Sequence, residues 1–349
     1  MRLYESMSLR KETKRVVLNL ELPTMILIVC FGIVSAGEFN LESIVKVQKE
    51  LRPLKDWDAG EYPDSVEEYF KYYGLDPEKD GIEHIFGTFE SEKYILTGHI
   101  FRPEEYKATV ILVHGFGDHC GQMRHLIYYL LNEGYCIAGF DLPGYGLSSG
   151  ERAVIDDFSK YSTALKDFAR VTARYTHGPY HVIGHSTGGA AILDYLVSTE
   201  EFSFDKIILA APLVRNVAWG LSKVGFFIAR PFSNNIPRKF RKNSSDKEFL
   251  DFIKNKDPLQ VQSVSLKWTK ALYKWNDRIA DLPVSNKEIF VIQGKKDTTV
   301  AWKYNIKFIK GKFSNTKVML VKDGRHQLLN ESADLRNDVF SNINRYLKD

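Results

Sequence analysis

Tyr180-His181-Val182-Ile183-Gly184-His185-Ser186-Thr187-Gly188-Gly189-Ala190-Ala191 is the stretch whose reading decides the fold. An apolar run ends in Gly-x-Ser-x-Gly, and a run of small residues follows at once. This predicts a buried strand, a tight turn with serine at its tip, and a helix packed close on the sheet. A serine so placed has a strained backbone and an exposed hydroxyl. The residues two before and two after it must be nearly free of side chain, because the chain doubles back there. Gly184 and Gly188 meet that need, and Gly189-Ala190-Ala191 allows the helix to approach.

Outward from this turn, strands are expected at 108–114, 135–141 and 206–211 as well as 179–185. Helices are expected at 124–132, 156–175 and 189–198. Alternating strands and helices mean an α/β fold with a mostly parallel sheet covered on both faces. The alternation stops at Pro212 and resumes with a strand at 288–293, a helix at 302–310, a strand at 316–321 and a helix at 332–347. The interruption, 213–282, reads as helical and amphipathic and is too long for a loop, so it is expected to be an inserted cap. Upstream, 84–90 and 94–102 alternate as a hairpin around Ser91-Glu92. The division is therefore an N-terminal segment (1–36), an extension in helical pieces packed on the main domain (37–83), a core (84–212 and 283–349) and the cap (213–282).

A serine hydroxyl needs a base to take its proton, and the base needs a carboxylate to fix its tautomer. In this strand-helix order the acid follows a later strand and the histidine comes later still. Phe290-Val291-Ile292-Gln293-Gly294-Lys295-Lys296-Asp297 places Asp297 just past a strand, and Met319-Leu320-Val321-Lys322-Asp323-Gly324-Arg325-His326 does the same for His326. Asp323 and Asp281 are the competing acids, whereas His326 is the only histidine after His185. The oxyanion formed on an attacked carbonyl needs backbone donors. Thr187, directly after Ser186, supplies one. The other is assigned to Phe116, whose flanking glycines in His114-Gly115-Phe116-Gly117-Asp118-His119 let its N–H point inward. His114, Gly115 and His119 read as supports of that loop, His185 as a brace of the serine turn, and His177 and His181 as helix-end and strand residues. The chemistry calls for no cofactor and no metal.

The formal charge of +4 comes from scattered basic residues, which argues against dedicated nucleic-acid binding. The three cysteines, Cys30, Cys120 and Cys136, show no paired metal-ligand spacing, and a Cys120–Cys136 bridge stays open. Arg2, Arg10, Lys11, Lys14 and Arg15 precede the apolar stretch 22–36, which ends Val34-Ser35-Ala36 before Gly37. That is an export-signal pattern, giving a periplasmic or secreted protein; the alternatives are a membrane anchor formed by 22–36 and a buried N-terminal element.

With these residues assembled, the chain resembles an α/β-hydrolase. It is most similar to the monoglyceride lipase and bacterial lysophospholipase branch, also grouped with serine aminopeptidases. The resemblance spans about 87–348. It rests on the loop 114–119, on Phe140-Asp141-Leu142-Pro143-Gly144-Tyr145-Gly146-Leu147-Ser148-Ser149-Gly150, on 184–189, on 294–297, and on Arg325-His326-Gln327-Leu328-Leu329-Asn330-Glu331. The family often carries arginine and histidine where this chain has Pro143 and Tyr145, and a small residue where it has Phe116. The resemblance implies a serine hydrolase of single-chain lipid esters, such as lysophospholipids or monoacylglycerols. The alternatives are a peptidase on the same triad and an inactive binding protein. The cap carries apolar runs at 217–221 and 224–229 suited to an acyl chain. Its basic run Pro237-Arg238-Lys239-Phe240-Arg241-Lys242 suits lipid phosphates, peripheral membrane contact or plain solvent. Head group, acyl length and oligomeric state stay open.

Overall fold

The computed structural model describes residues 39–56, 62–76, 81–198 and 202–349. The expected signal or anchor at 1–36, together with Cys30, lies outside them. Among the described residues, no helix is long and apolar enough to cross a membrane.

In chain order, helices α1 (Leu41–Glu50) and α2 (Asp64–Tyr73) lead into a hairpin of β1 (Ile82–Ser91) and β2 (Tyr94–Pro103). Then come β3 (Thr109–Val113), α3 (Arg124–Asn132), β4 (Cys136–Phe140), α4 (Ser159–Thr172), β5 (Tyr180–His185), α5 (Thr187–Ser198) and β6 (Ile207–Ala210). The insertion holds α6 (Trp219–Ala229), β7 (Asn235–Pro237), α7 (Lys247–Asp251), β8 (Ser263–Ser265) and α8 (Leu266–Asp281). The chain closes with β9 (Ser285–Gly294), α9 (Trp302–Lys312), β10 (Phe313–Val321) and α10 (Ala333–Lys348).

Eight strands form one sheet in the order β1-β2-β4-β3-β5-β6-β9-β10. Pairing is parallel from β4 to β10, and the hairpin joins antiparallel through β2. Successive side chains of a strand point to opposite faces, so an all-apolar strand must be covered on both. On β3, Ile111 and Val113 join a core that includes α4, α5, α8 and α9 residues. Val110 and Leu112 join a second core with α1, α2, α3 and α10. The fold expectation holds, with two differences of detail in where strands begin. β1 begins at Ile82, inside the expected extension. β9 and β10 begin earlier than their apolar runs: β9 opens on the polar Ser285-Asn286-Lys287-Glu288, and β10 opens on buried Phe313 followed by polar Ser314-Asn315-Thr316. Cys120 and Cys136 are buried and free, so no bridge forms.

The insertion is not purely helical: β7 and β8 pair as a small antiparallel ribbon. Nor is it all lid. Trp268, Ala271, Leu272, Trp275 and Ile279 of α8 are buried in the main core. Trp275 Nε1 and Arg278 donate to the buried carboxylate of Asp194 on α5, which also accepts from Ser162. An amphipathic helix buries its apolar face wherever one is offered, and here the sheet-covering helices offer it.

Candidate active site

The end of β5 and the start of α5 are tied together by close packing. Ser186 lies between them at φ 51°, a left-handed conformation that side chains rarely adopt. A Cβ on Gly188 would stand 2.1 Å from the Val113 carbonyl oxygen, and one on Gly184 would stand 2.7 Å from the backbone of Gly188. Gly188→Ala is therefore expected to push α5 off β3 and lower unfolding free energy by about 3 kcal/mol, read from denaturant midpoints. A midpoint within experimental error of the parent would refute this close approach.

His326 Nε2 lies 3.0 Å from Ser186 Oγ, and His326 Nδ1 lies 2.8 Å from Asp297 Oδ2. All three side chains are buried. Asp297 also accepts from Gln293 Nε2 at 3.0 Å, Thr299 N at 2.7 Å and Val300 N at 3.1 Å. Burial alone would raise its pKa, but His326 and these N–H donors hold it below the ordinary carboxylate value. The competing acids lie elsewhere: Asp323 is exposed and pairs with Lys296, and Asp281 is exposed at the end of α8.

Thr187 is buried at the first position of α5. Phe116 packs edge-on against Trp268 and Tyr145 and lines a cavity of about 170 Å³ that Ser186 and His326 share. A Cβ on Gly115 would come within 3.2 Å of Ser186 Cβ, so the 114–119 loop runs directly against the serine. His114 holds that loop to the next by accepting from Leu142 N at 2.9 Å. His177 stacks on Tyr106, and His181 lies in β5 beside Asp205.

Of the layer behind these residues, His185 was expected as a brace of the serine turn, while Asp118 and Gln327 were not anticipated. His185 Nδ1 lies 3.2 Å from Asp118 Oδ2, and its Nε2 lies 3.0 Å from the His326 carbonyl. Gln327 Nε2 also donates to Asp118 at 3.1 Å. Burial opposes the charge on Asp118, yet the His185 bond and nearby cations push its pKa down to about 2. Asp118 sits inside the quoted loop, next to His119, and that proximity was its one signal in the sequence. Asp141 receives Cys120 N and Leu147 N, each at 2.8 Å, and so pins both loops above the sheet.

His119 itself is not among the residues lining the serine cavity. Its Nε2 lies 3.2 Å from Asp257 of the insertion, whose carboxylate also accepts from Tyr73 of α2 and Gln122, each at 2.8 Å. Burial opposes both charges, but mutual attraction raises the pKa of His119 and lowers that of Asp257. Asp257 thus adds stability above its unfolded pKa and loses it as pH falls through the lower folded value. His119 adds stability below its unfolded pKa and loses it as pH rises through the higher folded value. Asp257→Asn is therefore expected to cost about 3 kcal/mol. In denaturant titrations across pH the deficit is widest between about pH 4 and about pH 6.5 and narrows on either side. A pH-independent deficit would refute the ion pair.

Among the described residues, no three His, Cys, Asp or Glu side chains converge as metal ligands would. A larger cavity, about 1460 Å³ between α2, the hairpin and the segment after α4, shares no lining residue with the serine site.

The family described as serine aminopeptidase, S33, matches residues 104–333. Monoglyceride lipase of Mus musculus is 26% identical over 253 residues, covering 69% of this chain and 82% of that protein. Phospholipase YtpA of Bacillus subtilis is 26% identical over 243 residues, covering 67% and 92%. A soluble variant of monoglyceride lipase from Saccharomyces cerevisiae, solved in complex with a substrate analogue, aligns with TM-score 0.65 at 20% identity. That alignment covers 78% of this chain and 96% of the other, a likeness of fold. The chain therefore belongs to the serine aminopeptidase S33 family, as an α/β-hydrolase of its monoglyceride lipase and lysophospholipase branch.

Proposed function

We propose that this protein is a serine esterase that releases the fatty acid from single-chain lipids through an acyl-enzyme. The observation that carries the reading is the continuous chain Asp297–His326–Ser186, bonded at 2.8 and 3.0 Å beneath a cavity. Ser186 Oγ attacks the ester carbonyl as His326 Nε2 takes its proton, and Asp297 holds the tautomer that leaves Nε2 free to accept. Backbone N–H groups of Phe116 and Thr187 receive the oxyanion. His326 returns the proton to the departing alcohol, then activates the water that frees the acid.

The names of the relatives, monoglyceride lipase and phospholipase, support a lipid ester as the small-molecule substrate. So does the insertion, where Leu221, Val224, Phe227 and Ile228 of α6 and the following Phe232 are exposed. Such a face suits peripheral contact with a lipid surface. A peptidase on the same triad would need a carboxylate to anchor an N-terminal amine. Among the described residues, the one carboxylate lining the cavity, Asp118, is already bonded to His185 and Gln327.

Fatty-acid release from lysophosphatidylcholine, lysophosphatidylethanolamine and monoacylglycerol, run beside an aminoacyl-anilide, tests the proposal. Release from at least one lipid is expected. Cleavage of the anilide alone would move the assignment to peptidase.

A further inference from the structure

The strap of the insertion that follows β7 closes over the serine and carries basic residues, of which Arg238 is partly buried and Lys239 and Arg241 are exposed at the cavity rim. It is anchored at both ends: Arg238 N donates to the Gln262 carbonyl, and the Asn243 carbonyl accepts from Gln327 N, each at 2.9 Å. Between these anchors, Arg238, Lys239 and Arg241 line the cavity that holds Ser186 and His326. Arg241 Nη1 donates to the Thr298 carbonyl at 2.8 Å, beside the triad acid.

Arg238 is held most firmly. Its Nη1 donates to Gln260 Oε1 and to the Val261 carbonyl, and its guanidinium lies over the rings of Phe116 and Phe240 at 5.8 and 5.0 Å. It presses on the oxyanion loop so closely that a Cβ on Gly117 would stand 2.3 Å from Nη1. Both of these bonds use Nη1, so Nη2 and Nε remain to donate. Among the described residues, Arg238, Lys239 and Arg241 form no ion pair. Among the described residues, the single carboxylate lining the same space, Asp118, has its oxygens engaged by His185 and Gln327. Three cations thus face one occupied anion beside the reacting serine. A pre-oriented guanidinium fork on an aromatic ring matches phosphate geometry better than a mobile surface charge does.

We propose that Arg238, Lys239 and Arg241 form an anion subsite beside the scissile ester. The preferred substrate is then a single-chain lipid that carries a phosphate on its glycerol. This rests on the lipid-esterase reading and narrows it to a substrate class. The phosphate binds to the strap while the ester sits at Ser186, and a neutral monoacylglycerol leaves the cations unmatched.

The test uses the full chain and octanoyl lipids kept below their aggregation threshold, so that no surface is present. It compares kcat/KM for 1-octanoylglycerol 3-phosphate with that for 1-octanoylglycerol, for the parent and for Arg238→Gln, Arg238→Lys and Arg241→Gln. The parent is expected to prefer the phosphorylated lipid by about tenfold or more, as loss of charge-assisted bonds predicts. In Arg238→Gln that preference collapses, mainly through KM; Arg238→Lys restores part of it, and Arg241→Gln lowers it without touching the oxyanion loop. Glycerol 3-phosphate competes with the neutral lipid in the parent more strongly than inorganic phosphate does.

A parent with no preference, or a preference unchanged in both glutamine variants, overturns the subsite. Equal inhibition by inorganic phosphate without a lipid preference assigns a free-anion site instead and also overturns it. A preference seen only with vesicles transfers the effect to the membrane surface, and the subsite falls with it. Hydrolysis of neither lipid, with Ser186 still labelled by a fluorophosphonate, defeats the lipid-esterase reading itself. Turnover of octanoylglycerol without phosphate preference defeats only the subsite.

Discussion

Ser186→Ala is expected to lower kcat for ester hydrolysis by about a millionfold while leaving the fold intact. Alanine keeps the Cβ that serine already carries at φ 51°, so the strained turn costs the variant no more than the parent. What disappears is the oxygen 3.0 Å from His326 Nε2, and with it the acyl-enzyme. Turnover of p-nitrophenyl octanoate, with the thermal midpoint as a control, reads both halves of the statement. Residual activity within a hundredfold of the parent would mean that another group performs the attack.

Asp297→Asn is the subtler loss. One oxygen of the carboxylate is fixed by two backbone donors, Thr299 N and Val300 N, and the other faces His326 Nδ1 and Gln293 Nε2. Asparagine has one acceptor oxygen. The two backbone donors claim it, which turns the amide NH₂ toward His326. The imidazole then adopts the tautomer whose Nδ1 accepts and whose Nε2 carries the hydrogen. Nε2 can no longer take the proton of Ser186. A fall in kcat of about ten-thousandfold follows, with little change in KM. A loss below tenfold would show that Asp297 does not set the tautomer.

The serine turn was legible because its constraints are local. Two glycines, a strand before and small residues after are forced by one turn of chain. Asp297 and His326 could be placed because each ends an apolar run, in an order that the sheet dictates. The supporting layer is different in kind. Asp118 reaches His185 and Gln327, which are 67 and 209 residues away along the chain, and no spacing marks such a partner. The insertion shows a related gap. Amphipathic spacing in α8 announces a buried face but cannot say whether the burying surface is a lid or the main core. β10 lies at the sheet edge, and its alternation is blurred by exposed polar residues that protect such an edge from pairing.

The hydroxyl of Tyr73 meets Asp257 across 184 residues. Behind it, Tyr69, Phe70 and Tyr73 share a core with Phe86 and Phe101 of the hairpin. The family match begins at residue 104, yet the packed core begins well before it. A fragment trimmed to that match would lay bare an aromatic floor and strip Asp257 of a donor. The family match and the packed unit therefore have different borders in this chain, and any shortened version must respect the second.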